Sequence, residues 1–144
     1  MEASRLGDCG SLVVILDTSI LMDIVSGIIP LTSINHTVDK AYKLIVPSSV
    51  VNELRRIAEG RNQKSKRAKR ALELLSTMNI TIYEDNLEKA DEAIVSTALS
   101  LKGTCEVIVA TNDRGLRRRL RSLGIPTMYY RRARGGLEVE WYMP

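Results

Sequence analysis

Apolar positions fall along this chain in two alternating rhythms. Residues 12–16, Leu-Val-Val-Ile-Leu, are an unbroken apolar run that ends in Asp-Thr-Ser. So short a run, apolar at every position, predicts a strand buried on both faces. Thr18 and Ser19 can cap a short helix reaching about Gly27. Residues 28–37 hold Pro30 and several Ser, Thr and Asn, and read as a loop. A short helix around Val38 to Lys43 then leads into a second strand at 44–46. Pro47-Ser48-Ser49 opens a helix to about Glu59, stopped by Gly60. Another helix follows from about Ser65 to Met78, with Ala71, Leu74, Leu75 and Met78 inward. Thr81 to Tyr83 reads as a third strand and Leu87 to Lys102 as an amphipathic helix. Val107 to Ala110 is the fourth strand, again running into polar residues, Thr-Asn-Asp. A basic helix from Arg114 to Leu123, a fifth strand from Pro126 to Tyr130 and a tail with an edge strand complete the chain.

Strands alternate with helices throughout, which predicts a three-layer α/β/α fold around a central parallel sheet of about five strands. With 144 residues and 16.1 kDa, residues 1–144 are expected to form a single domain. No apolar run reaches the roughly 20 residues that span a bilayer, because Asp17 and Asp23 interrupt the best candidate. No signal peptide is legible. A protein of the cytoplasm, with no membrane association, is the expectation. Cys9 and Cys105 have no metal-ligand spacing and His36 is the one histidine. A zinc site is therefore not expected; two small thiols are the preferred reading, with a Cys9–Cys105 disulfide the alternative that a reducing cytoplasm disfavours.

Charge changes the picture more than composition does. The net value is +4, but the charges are segregated. Residues 55–70 hold eight basic side chains and one acid, and residues 114–134 hold eight arginines and no acid. The rest of the chain is acidic. A surface divided this way can attract a polyanion to one part of itself.

Four of the acids stand where ligands bind in α/β sheets, at the carboxyl ends of strands. Asp17 follows the first strand and Asp113 the fourth. Asp91 falls within the apolar stripe of its helix, Leu87, Ala90, Ile94, Val95, Ala98 and Leu101, where a lone carboxylate needs a partner. Glu53 flanks the stripe of Val50, Val51, Leu54 and Ile57. Each alone has a plain structural account: Asp17 and Asp113 as helix N-caps, Asp91 paired with a cation, Glu53 as a surface acid. Together they would repel one another by about 3 kcal/mol per pair at ~5 Å and an effective dielectric of ~20. Such a group persists when protons, arginines or metal ions offset it. An all-oxygen donor set selects hard cations, Mg²⁺ or Mn²⁺. Carboxylate-held dications beside a basic surface are the equipment of phosphoryl-transfer enzymes.

LVVILDTSIL, VPSSVVNEL, ADEAIVSTAL and VIVATNDRGLRRRL, in this order and spacing, resemble the four blocks of the PIN-domain ribonucleases. The resemblance spans nearly the whole chain, and the last block with GIPTMYY is similar to the branch that processes ribosomal RNA. It implies a metal-dependent endoribonuclease. Asp17, Glu53, Asp91 and Asp113 take the acidic metal-site positions, and Ser19 and Thr111 the supporting hydroxyl positions. Expected partners are RNA (above all pre-rRNA), a pre-ribosomal particle or an antitoxin protein, and a second copy of the chain. Toxin ribonucleases share the acid blocks, and zinc-binding segments found in some rRNA-branch members are missing here. On the basic helix, Arg114, Arg117, Arg118 and Arg121 are the expected RNA phosphate contacts, with Arg131, Arg132 and Arg134 extending the track. Two rivals stand beside the nuclease: a non-catalytic RNA-binding scaffold, and a phosphotransfer fold with Asp17 as nucleophile. The second lacks the further Asp at position 19 and a lysine after a late strand.

Overall fold

A computed structural model describes residues 12–30, 32–38 and 40–140. Six strands form one sheet in the order β3-β2-β1-β4-β5-β6. They are β1 (Leu12–Leu16), β2 (Tyr42–Pro47), β3 (Thr81–Tyr83), β4 (Glu106–Ala110), β5 (Thr127–Arg131) and β6 (Gly136–Glu140). The helices are α1 (Thr18–Val25), α2 (Ser33–Thr37), α3 (Ser48–Ala58), α4 (Gln63–Thr77), α5 (Ala90–Lys102) and α6 (Arg114–Ser122). The α/β/α expectation holds, with a sixth strand. Five strands run parallel, and β6 pairs antiparallel with β5 from Thr127↔Glu140 to Arg131↔Gly136. Helical crossovers keep the first five parallel; a short turn through Arg132–Arg134 and the left-handed Gly135 (φ 64°) reverses the chain into the last.

β1 lies at the centre, paired with β2 on one side and β4 on the other. All five of its residues are buried, as an apolar run with no alternation requires. The chain leaves β1 toward β2 and β3, then returns to the other side of β1 as β4. That reversal makes the β1–β4 seam the switch point of the sheet, where the loops after two neighbouring strands part and leave a crevice. Helices flank the sheet. Ala90, Ile94, Val95, Ala98 and Leu101 of α5 and Leu116 and Leu120 of α6 join the core.

Local differences from the expected elements have identifiable causes. Residues 33–37 are helical and Tyr42 already belongs to β2, so the expected loop at 28–37 and helix at 38–43 are shifted. α5 begins at Ala90, three residues later than the periodicity implies, and Leu87 is exposed. The reason is Asp85. Its carboxylate accepts from the Leu87 N–H at 2.9 Å, and from the Ser49 N–H at 3.0 Å and both the Ser48 and Ser49 hydroxyls. The segment before α5 is thereby tied to the start of α3 and is unavailable for helix. Cys105, expected as a thiol, is disulfide-bonded, and Cys9 lies outside the described residues. Among the described residues no helix is long and apolar enough to cross a membrane.

Candidate active site

Asp17 ends β1 and begins α1. Its backbone N–H donates to Ala110 O of β4 at 3.0 Å, so the seam between the two strands closes at this residue. The side chain is 6% exposed and accepts three hydrogen bonds. Oδ1 caps α1 through the Thr18 N–H at 2.7 Å. Oδ2 takes the Thr111 hydroxyl at 2.6 Å and the Ser19 hydroxyl at 3.2 Å. Burial nevertheless raises its pKa from 3.8 to about 6, with the charge of Asp91 adding to the rise and the three donors opposing it. Thr111 and Ser19 thus stand where the resemblance places supporting hydroxyls. Thr111 Oγ1 also accepts the Asp113 N–H at 3.1 Å, and Ser19 Oγ accepts the Asn112 N–H at 3.2 Å. Two hydroxyls therefore fix the β4–α6 turn against the β1–α1 turn.

Asp113 caps α6, with Oδ1 accepting the Leu116 N–H at 2.9 Å. Asp91 sits in the first turn of α5, and Glu53 on α3 accepts the Thr18 hydroxyl. Asp17, Glu53, Asp91 and Asp113 line one cavity of about 560 Å³ at the carboxyl edge of the sheet. Desolvation raises the Asp91 pKa first, followed by the charges of Asp113, Glu53 and Glu92. Asp91 is the electrostatic centre of the group, within range of the other three acids.

Two expectations about these acids need correction. Asp91 is exposed at the mouth of the cavity and is not enclosed among the apolar side chains of its stripe. With α5 starting at Ala90, Asp91 and Glu92 lie in its first turn and are exposed, while Ala90 and Ala93 of that turn are buried. The acids also do not close up: among the described residues no three acidic, histidine or cysteine side chains form a group that could hold a metal ion as they stand. Local donors explain the spread. The Leu116 N–H holds one Asp113 oxygen, and the Thr18 hydroxyl draws Glu53 toward α1. The donor set is still all-oxygen and lines one cavity, a chemistry that suits a hard divalent cation.

The basic helix divides. Arg114 and Arg118 are exposed and make no ion pair with a described residue. Arg117 differs: its Nε meets Glu140 Oε1 at 3.0 Å, and its guanidinium lies 3.8 Å from the centroid of the Tyr129 ring. Arg121 reaches the other Glu140 oxygen at 3.6 Å. These two arginines bind α6 to β5 and β6 and are not free contacts for RNA. Arg119 pairs with Glu92 through both terminal nitrogens, at 2.7 and 3.0 Å.

Sequence reasoning missed several contributors. Asp23 and Met22 of α1 and Lys64 and Arg67 of α4 also line the acid cavity. Asn112 donates from Nδ2 to Asp23 Oδ2 at 2.7 Å and accepts the Tyr130 N–H at 2.9 Å, stitching α1 to β5. Asp23 stands six residues after Asp17, a spacing that does not put two side chains on one helical face, so periodicity carried no signal for it. Nothing in the sequence signalled that α4 would fold over this edge.

Comparison with known proteins agrees with this geometry. Residues 14–133 match the family described as PIN like domain. Ribonuclease VapC4 of Methanocaldococcus jannaschii is 31% identical over 99 residues, covering 68% of this chain and 73% of that protein. The solved PIN domain endonuclease Utp24 superposes with a TM-score of 0.71 at 24% identity, over 94% of this chain and 95% of that one. A domain of a functionally unknown protein from M. jannaschii superposes with a TM-score of 0.56 at 19% identity, over 84% and 92%. A matched span running from the middle of β1 through β5, with an edge of acids at its switch point, places the chain in the PIN-like domain family.

Proposed function

We propose that this chain is a divalent-metal-dependent endoribonuclease whose reaction centre is the cavity of Asp17, Glu53, Asp91 and Asp113. The observation that carries the reading is Asp17: a carboxylate buried at the switch point, held by three donors and facing a second acid across a cavity. A fold does not keep a charge at that cost for capping alone, since an exposed Asp caps a helix equally well. Asp17, Asp91 and Asp113, with Glu53, would hold Mg²⁺ or Mn²⁺. When bound, the cation supplies charge stabilisation at the scissile phosphate and a lowered pKa for water. Thr111 and Ser19 hold the Asp17 carboxylate in one orientation, and Thr111 also fixes the backbone that carries Asp113. Arg114 and Arg118, exposed on α6, would meet RNA phosphates.

The last sequence block with GIPTMYY, which resembles the branch of the family that processes ribosomal RNA, supports a role in ribosomal RNA processing. The acid blocks, which toxin ribonucleases share, support a second reading, a toxin ribonuclease held by a small antitoxin; the 31% identity to Ribonuclease VapC4 supports the ribonuclease activity common to both readings. Co-sedimentation with pre-ribosomal particles favours the first; growth arrest on expression, relieved by a co-expressed protein, favours the second.

The deciding experiment incubates end-labelled RNAs with the protein in Mn²⁺, Mg²⁺ or chelator, beside Asp17→Asn and Asp91→Asn. Internal cleavage by the wild type alone, dependent on the cation and leaving 5′-phosphate and 3′-hydroxyl ends, is expected. Equal cleavage by all three proteins, or none by the wild type on several RNAs, sinks the reading.

A further inference from the structure

On the side of the cavity formed by α4, two cations face the acids. Lys64 and Arg67 are one helical turn apart, so they share a face, and both line the cavity that holds Asp17, Asp91 and Asp113. Arg67 is unlike its neighbours in the basic run. Lys64, Lys66, Lys69 and Arg70 are exposed, whereas Arg67 is half-buried. Its guanidinium forms no hydrogen bond or ion pair with a described residue, and its charge acts on Asp23 at longer range. A half-buried planar fork of five donors with no protein acceptor is suited to bidentate recognition of phosphate. Asp23, in turn, is drawn by both Arg67 and Arg132, so positive charge continues across the lip of the cavity to the turn between β5 and β6.

We propose that Lys64 and Arg67 form a backbone-phosphate seat for single-stranded RNA, setting the strand's path over α4 and α1 into the acid cavity. This deepens the nuclease reading and rests on it. The simpler alternative is that the two cations only balance the nearby acids. Position distinguishes them. At ~100° per residue, Lys66 and Lys69 lie on roughly the opposite side of α4, and both are exposed. Lys66→Gln/Lys69→Gln therefore removes the same charge from the same helix without touching the cavity.

The test measures binding of a fluorescent single-stranded RNA to the full chain in chelator, across a salt series, with KM and kcat measured separately in Mn²⁺. Lys64→Gln/Arg67→Gln is expected to weaken binding roughly fivefold to tenfold and to reduce the log–log salt slope by about 0.7 to 1.4, one or two phosphate contacts. KM should rise by a similar factor while kcat holds, and Lys66→Gln/Lys69→Gln should change binding less than twofold. Equal loss in the two double variants would reduce the effect to net charge and overturn the seat, as would no loss in either. Were the wild type to bind RNA but never cut it, the nuclease reading would fail while the same comparison still decided the seat. Absence of RNA binding by the wild type would overturn both.

Discussion

At the scale of single residues, Asp17 combines two roles that seemed to compete. It is an N-cap, as a structural account requires, and it is the buried acid of the candidate site. One oxygen caps while the other faces the hydroxyls of Thr111 and Ser19. The combination has a measurable cost. Asp17 titrates near 6 when folded and near 3.8 when unfolded, so between those values the folded chain keeps a proton that the unfolded chain has released. Stability from this residue accordingly falls as pH rises through that window and stays low above it. Asp17→Asn should therefore stabilise the chain by about 1–2 kcal/mol at pH 8 in chelator, a lost hydrogen bond offsetting part of the gain, with no gain near pH 4. Urea titrations at the two pH values check this. Thr111→Val removes the 2.6 Å donor and the acceptor for the Asp113 N–H, and is expected to raise the Asp17 pKa and cut cleavage at least tenfold near neutrality, with Thr111→Ser restoring most of it. The pH–rate profile separates this from a loss of folding, since its acid limb should move upward.

Among whole elements, the sequence marked helices well and their ends less well. Strand β1, α3 and α6 stand within a residue or so of their expected places, because an apolar run, a Pro-Ser-Ser start and a closing glycine act locally. Gly124, at φ +79°, is such a stop. α5 was read as starting at Leu87 because apolar spacing continues through it. Only the tertiary contact of Asp85 with α3 shows why it cannot. Asp85 is held below the ordinary carboxylate range: burial alone would raise it, but the Ser49 hydroxyl and N–H, the Leu87 N–H and the Ser48 hydroxyl outweigh burial. Its contribution is present above pH 3.8 and is lost as pH falls through the depressed folded value. Asp85→Ala is expected to cost about 1–2 kcal/mol at pH 7, as loss of a cap does, and progressively less as pH falls below 3.8. Arginine roles on α6 were also beyond the sequence. Arg117→Ala should destabilise the fold by roughly 1–3 kcal/mol, through loss of Glu140 and Tyr129, while Arg118→Ala stays within about 0.5 kcal/mol. Thermal unfolding of the two variants side by side tests the division.

Across the whole molecule, an apolar sheet delivers charged side chains from distant parts of the chain to one edge. The order β3-β2-β1-β4-β5-β6 puts the ends of β1 and β4 side by side, which joins residue 17 to residues 111–113. α3 and α5 then bring Glu53 and Asp91 over the same edge. The amino-acid sequence by itself determined the alternation of strands and helices, the central parallel sheet, and which acids follow which strands, because each depends on runs of a few residues. It also showed that charge is segregated into two basic stretches. The tertiary structure alone decided which basic residues face the acids: Lys64 and Arg67 do, from α4, while Arg117 and Arg121 are held by Glu140. It alone decided, too, that Asp17 is buried while Asp91 is exposed. Burial and pairing are set by neighbours distant in the chain, and periodicity carries no information about which neighbours those are.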